Sequence, residues 1–115
     1  MKKLGDSMHS KIVTILEKLN VGIGFQEYDN FSNDEEYIIF FIENEYDANF
    51  SDNKNKSIVY SVKIEYWYKS LKNINKYISI KDIFKKENFI FSNSSDFIEN
   101  GYYCKELKFK YEEVV

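Results

Sequence analysis

The sequence contains no proline and no arginine, and it has a single cysteine and a single histidine. One cysteine excludes an intrachain disulfide, and the cysteine and histidine spacings of zinc sites are missing. Without arginine the chain lacks the forked guanidinium group that binds phosphates and carboxylates through paired hydrogen bonds. Without proline, the edge strands of any sheet lose one of the usual blockers of strand pairing.

Long apolar segments are missing as well. The longest apolar run extends from Tyr37 to Ile42, which is far shorter than the ~20 residues needed to cross a bilayer. The segment from Met1 to Ser7 begins with lysines but turns polar at once, so it does not predict a secretory signal. We therefore expect a protein that stays in the cytoplasm or belongs to a particle assembled there, with no membrane partner.

The sequence also offers little that resembles catalytic machinery. His9 stands in the first turn of a predicted helix with no cysteine or second histidine nearby in the sequence. Gly22 and Gly24 lack the third glycine of a dinucleotide fingerprint, and we interpret them as a helix stop. The carboxylate pairs are interpreted as solvated strand ends: Glu43 with Glu45, and Glu112 with Glu113. We expect no enzyme activity, no metal site and no cofactor.

What the chain does contain is enough apolar material for one core. Its 115 residues are 43% hydrophobic and 18% aromatic, which predicts a single folded domain over residues 1–115. The formal net charge is −3, and this weak acidity argues against specific binding of nucleic acid. The same charge would suit a protein that lines a channel through which DNA slides, because like charge repels phosphate.

Two segments have helical periodicity. Apolar residues from Met8 to Leu19 recur at helical spacing and predict a helix over Ser7 to Leu19, capped by Asp6 or Ser7 and ended by Asn20 and the two glycines. Leu71 to Glu87 predicts a second helical region with a break near Ser79. The members of its broad apolar face are Ile74, Tyr77, Ile78 and Phe84, with Ile80 and Ile83 off that face.

The remaining segments predict strands. Ile23 to Tyr28 is a short strand, and the run that starts at Tyr37 suits a central one. The side chains of Ser57 to Lys69 alternate with a period of two. The side that holds Ile64 should therefore face the core, while the other side, with Trp67, should be partly exposed to solvent. Residues 92–95 are interpreted as a loop or bulge. Asn100 and Gly101 predict a tight hairpin turn before a last strand over Tyr102 to Glu112.

This order of helix, strand, hairpin, helix and hairpin predicts an α+β fold with two helices on a mostly antiparallel sheet. The aromatic residues exceed what one small core requires, and tyrosine and tryptophan gather at protein interfaces. A core rich in tyrosine and phenylalanine through coding bias is the alternative. We predict Trp67, Tyr46 and Phe50 as interface residues, and we expect Trp67→Ala to leave the monomer folded while weakening assembly.

The order of the segments and several strings resemble the small tail-terminator, or tail-completion, proteins of phages and phage-tail-like particles. The strings are those of residues 11–19, 37–41, 59–67 and 101–111, together with the helix and Phe89 between them. One departure is Glu36, where relatives often carry proline. The resemblance implies a homohexameric ring that caps the last ring of a tail tube, stops tail growth and docks the neck or collar. Its partners would be copies of itself, the tube and possibly sheath or neck proteins.

Two alternatives remain open at this point. One is a head–tail joining or neck protein of the same fold, also part of a virion or phage-tail-like particle assembled in the bacterial cytoplasm. The other is a monomeric acidic module of the immunity or inhibitor type, which blocks a basic partner. The weak acidity and the fold class allow each of them.

Overall fold

The structure is a computed structural model that describes residues 7–28, 34–49, 54 and 56–114. Its helices are α1 (Met8–Leu16) and α2 (Tyr77–Lys86), and a 3-10 turn stands beside each, at Glu17–Leu19 and at Leu71–Asn73. Its strands are β1 (Gly22–Phe25), β2 (Glu36–Ala48), β3 (Ser57–Tyr68), β4 (Ile90–Glu99) and β5 (Tyr102–Val114). The predicted α+β class is confirmed.

The strands form one sheet in the order β1-β2-β3-β5-β4. β1 runs parallel to β2, and the other three pairings are antiparallel. The longest unbroken register joins β3 to β5, from Ser57 opposite Val114 to Tyr68 opposite Tyr103. The sheet is thus mostly antiparallel, as the hairpin signals predicted.

The core lies between the two helices and one face of the sheet, which we call the helix face. Alternate residues of β3 line it, and Val62, Ile64 and Tyr66 are at most 1% exposed. Phe84 of α2 stacks on Phe109 of β5 with ring centroids 5.0 Å apart. Full burial of such a side chain contributes roughly 1.5–3 kcal/mol, so this layer supplies most of the stability of the fold.

The start of the first helix is as predicted, and its end is as predicted at Asn20 but not at the two glycines. The Ser7 hydroxyl accepts a hydrogen bond from the backbone N–H of Ser10 at 3.1 Å and caps α1. Asn20, with φ 58°, ends the helical segment, whereas Gly22 and Gly24 lie in β1. A Cβ atom at Gly22 would collide with the ring of Tyr28, and one at Gly24 with the carbonyl of Glu27. These glycines therefore serve close packing and not helix termination.

The second helical region differs from the prediction in its phase. The break comes at residues 74–76, where a 3-10 turn gives way to α2, and not at Ser79. Ile80 and Phe84 are buried, whereas Ile74 and Ile78 are 49% and 47% exposed. The 3-10 turn shifts the helical phase, so the face predicted to be buried points partly outward.

The last hairpin has the predicted turn, and its first strand, β4, is longer than predicted. Asn100 and Gly101 have φ values of 53° and 81°, the conformation that a two-residue turn of this kind requires. Residues 92–95 belong to β4, which is continuous apart from a register shift between Phe91 and Asn93. The interpretation as a bulge is correct, and the interpretation as a loop is wrong.

Three strands extend past the rest of the sheet. β1 stops where Phe25 pairs with Phe40, and β4 starts where Ile90 pairs with Lys110. From the level of Ile90 outward, residues 43–48, 57–61 and 110–114 continue as a three-stranded extension, which we call the arm. The radius of gyration is 15.5 Å, above the roughly 13 Å expected for a compact domain of this length.

Candidate protein–protein interface

The first candidate surface is the outer edge of β4. Every residue of this strand except Phe91 is exposed, including Ile98 at 64% and Phe97 at 38%. The strand carries neither proline nor lysine, the residues that commonly block pairing at an edge. The bulge after Phe91 disturbs only its beginning, so Asn93 to Glu99 forms a regular edge.

The turn geometry shows which backbone groups of β4 point outward. Glu99 and Tyr102 flank a two-residue turn, and in such hairpins the flanking residues exchange hydrogen bonds. Since the pairs alternate along an antiparallel ladder, the N–H and C=O groups of Ser94, Asp96 and Ile98 point away from β5. Among the described residues no strand lies beyond β4, so this edge can accept another strand.

The second surface is the edge of β2 on the arm. Beyond Phe40 no described strand flanks β2 on the side where β1 ends. Glu43, Glu45 and Asp47 are exposed along this edge, and no lysine lies among them. Tyr46 is 44% exposed between them. The edge is therefore acidic, with one aromatic side chain.

The third surface is the outward side of α2 and the turn before it. Leu71, Ile74 and Ile78 are 47–55% exposed and recur at helical spacing. Residues 71–87 hold five lysines against two acids, and Lys72 and Lys85 are exposed. This surface is therefore apolar along its centre and basic around it, so its charge is opposite to that of the β2 edge.

The face of the sheet opposite the helices, which we call the open face, holds a small aromatic cluster at one end. Tyr37 stacks on Trp67 and on Tyr28, and its ring meets that of Tyr102 edge-on. The Tyr102 hydroxyl donates a hydrogen bond to the backbone carbonyl of Asp34 at 2.6 Å, so the chain that enters β2 is fixed to this cluster.

Trp67 belongs to this cluster and is only 7% exposed. The prediction that it stands on a wet face is wrong, because Tyr37 and Phe97 flank its indole within the folded chain. Its Nε1 donates a hydrogen bond to the Glu65 carboxylate at 3.2 Å. Trp67→Ala should therefore destabilise the monomer as well, contrary to the expectation from the sequence.

Two ionisable groups of the open face have shifted pKa values. Burial raises the pKa of the Glu65 carboxyl, although Lys63 and the Trp67 indole oppose this shift. Burial also raises the pKa of the Cys104 thiol, and the carboxylates of Glu65 and Glu106 add to the effect. A thiol held neutral in this way is a poor nucleophile, so the environment favours the interpretation of Cys104 as a packing residue.

The other residues considered for chemistry are dispersed. His9 packs its ring against Phe25 and Phe40 on the helix face, whereas Cys104 lies with Trp67 on the open face. The sheet separates these two side chains. Within residues 7–28, 34–49, 54 and 56–114, no three histidine, cysteine, aspartate or glutamate side chains are grouped to hold a metal ion.

Glu43, Glu45 and Glu112 are exposed, as their interpretation as solvated strand ends predicts, and two of them also contact neighbouring strands. Glu43 lies at the bulge of β2, 3.9 Å from Lys63, and Glu112 accepts a hydrogen bond from the Ser57 hydroxyl at 2.7 Å. Both acids thus contribute to contacts between strands.

The structure places the three predicted interface residues in different environments. Tyr46 is exposed on the arm, Trp67 is buried, and Phe50 lies outside the described residues. The exposed edge of β4 was missed by the sequence reasoning, which interpreted residues 92–95 as a loop or bulge. The two-residue turn at Asn100 and Gly101 was the available signal, because such a turn requires a paired strand on each side of it.

Comparison with known proteins adds no relationship: neither a protein-family model nor a curated protein matches the sequence. None of the helices in the described part of the chain is long and apolar enough to cross a membrane. The resemblance to tail-terminator proteins therefore stays a prediction.

Proposed function

We propose that the protein is a non-catalytic structural subunit that associates with copies of itself into a ring, which caps the end of a phage or phage-tail-like tube. One observation carries this proposal: among the described residues no strand flanks the sheet on either of two opposite sides, at β4 and at the arm part of β2. A ring needs contacts between two different surfaces of neighbouring subunits, and opposite edges supply such a pair.

The tube-capping role rests on the resemblance of the strands and helices to tail-terminator proteins. Under it the ring ends tail growth and presents a docking face to the neck or collar, and a neck protein of the same fold is the close alternative. The net charge of −3 supports a lumen that does not retain DNA. Tight binding of the ring to duplex DNA at moderate salt would contradict this part of the proposal.

A monomeric inhibitor-type module is a second candidate. The acidic edge formed by Glu43, Glu45 and Asp47 favours it, because such an edge suits binding to a basic protein surface. The two candidates differ in self-association, since an inhibitor of this type works as a single copy.

Light scattering and native mass spectrometry on the purified chain, with negative-stain microscopy, test the proposal. The wild type should form a closed oligomer of defined size. Ser94→Pro should reduce it to smaller species while circular dichroism stays unchanged, because the lost N–H points away from β5. Ser94→Ala retains that N–H and should assemble like the wild type. A monomer at all concentrations, alone and with tail-tube protein, would contradict the ring.

A further inference from the structure

The two unprotected edges lie on opposite sides of the sheet and run in opposite directions. β2 is antiparallel to β3, β3 to β5, and β5 to β4, so β2 and β4 are antiparallel to each other. A neighbouring copy that keeps its helices on the same side can therefore place its β2 edge beside β4 in an antiparallel pair. This is the pairing with the better hydrogen-bond geometry.

The register decides which side chains this arrangement brings together. Glu45 pairs with Tyr60 and Asp47 pairs with Ile58, and both partners belong to the β3 series that faces the helices. Paired residues of adjacent strands project to the same side, so Glu45 and Asp47 project toward the helix side of the arm. Tyr46 projects toward the opposite side, where Phe97 of the neighbour's β4 is exposed.

On the receiving side, the helix layer next to β4 is α2. The Nζ atom of Lys81 lies 4.2 Å from the ring centroid of Phe91 in β4, and Phe84 stacks on Phe109 in β5. The later turns of α2, with Lys81 and Lys85, therefore cover this edge of the sheet. Lys76, just before the helix, instead pairs with Glu36 of β2 at 2.7 Å. The acid of β4 on the same side, Asp96, is paired with Lys105 at 3.1 Å and repels an incoming carboxylate less than a free acid would.

We infer that the acidic β2 edge of one copy docks beside β4 and against the lysine-bearing outer surface of α2 in the next copy. This inference rests on the self-association proposed above and adds the two surfaces and their charge. Opposite charges at such a contact fix the register of the two strands. The acids of two β2 edges would repel each other, so pairing of β2 with a second β2 is disfavoured. The exposed Ile74 and Ile78 supply the apolar area that the charges surround.

A charge-swap experiment tests the inference. Glu45→Lys with Asp47→Lys reverses the arm, and Lys81→Glu with Lys85→Glu reverses the helix surface next to β4. Each double variant should dissociate at a protein concentration at least about tenfold higher than the wild type, because it brings like charges together. A one-to-one mixture should assemble again, since each variant then meets its complement on both sides. Oligomer size is measured by light scattering.

The matched control is Glu17→Lys with Glu27→Lys. It makes the same change of charge as the arm variant at two exposed positions that belong to neither surface, Glu17 in the 3-10 turn after α1 and Glu27 after β1, and it should assemble like the wild type. If a reversed variant loses its cooperative thermal transition, it is not folded, and the salt dependence of wild-type association then serves as the test. Wild-type association should then weaken between low salt and ~0.5 M NaCl, because surface charges are screened.

The outcomes separate the two proposals. A wild type that assembles while both reversed variants assemble equally well would overturn this docking and leave the ring intact. Loss of assembly in both variants without rescue in the mixture, or an association indifferent to salt, would overturn it as well. A wild type that never self-associates would remove the ring proposal, and this inference with it.

Discussion

The same strands build both faces of the sheet, yet the two faces are covered in different ways. On the helix face, α1 and α2 enclose a continuous apolar layer in which Ile12, Ile64 and Leu107 are fully buried. On the open face, an aromatic cluster occupies one end, and charged side chains such as Lys63 occupy the middle. Lys63 stands 4.2 Å from the ring centroid of Phe41 and 3.5 Å from Glu65.

The difference shows how a small sheet can separate stability from association. The helix face concentrates the hydrophobic burial that stabilises the fold. The open face and the two edges need only enough packing to order their side chains, and they retain polar and exposed groups available to another protein. Substitutions on the two faces should therefore change the free energy of unfolding by different amounts. For the glutamates, the pH dependence of stability should have opposite signs on the two faces.

The largest difference is expected between two phenylalanines. Phe84→Ala on the helix face should lower the free energy of unfolding by about 3–5 kcal/mol, because it leaves a cavity between Phe89 and Phe109. Phe97→Ala on the open face should cost roughly 1 kcal/mol, the value of an edge-on contact with Trp67. Urea denaturation of both variants measures this. Equal losses would show that the two faces are equally important for stability.

A smaller effect is expected for two glutamates, Glu36 and Glu65, whose contributions to stability should change with pH in opposite directions. Burial acts to raise the pKa of Glu36 on the helix face, but hydrogen bonds from Lys76 and Tyr66, both at 2.7 Å, prevail and lower it. Stability from this group is therefore present above its ordinary pKa of 4.5 and is lost as the pH falls. Glu36→Gln should cost roughly 1–2 kcal/mol at about pH 7 and less in acid.

Glu65 on the open face should respond in the other direction. Its pKa is raised by burial, so the native state holds the proton more tightly, and stability increases as the pH falls. Glu65→Gln can still accept the hydrogen bond from Trp67 and should not destabilise the protein at about pH 7. Unfolding free energies of the wild type and both variants across the acid range check this. A loss at neutral pH as large as that of Glu36→Gln would contradict it.

The smallest expected effect concerns the alkylation of Cys104, which lies with Trp67 and Tyr37 in the open-face cluster. The thiol is 1% exposed and its pKa is raised by burial, so alkylation requires the cluster to open. Iodoacetamide should modify the native protein at least roughly a hundredfold more slowly than the urea-unfolded chain. Mass spectrometry follows the reaction. Rapid labelling of the native protein would show that the open-face cluster opens far more readily than the helix face.

The sequence was sufficient wherever a local rule acts alone. The period of two along β3 identified its core side, the capping candidates Asp6 and Ser7 located the helix start, and Asn100 with Gly101 identified the turn. Each of these depends on backbone geometry and on residues a few positions apart. Together they were sufficient to determine the α+β class and the hairpin order.

Only the tertiary structure decided the exposure of Trp67, of the outer side of α2 and of the sheet edges. Trp67 is covered by Tyr37 and Phe97 from other strands, and Ile78 is exposed because a preceding 3-10 turn shifts the phase of α2. The open edges of β4 and of the arm follow from where β1 and β4 end relative to their partners. These outcomes depend on contacts between residues far apart in the chain, and the period of a single segment holds no information about what packs against it.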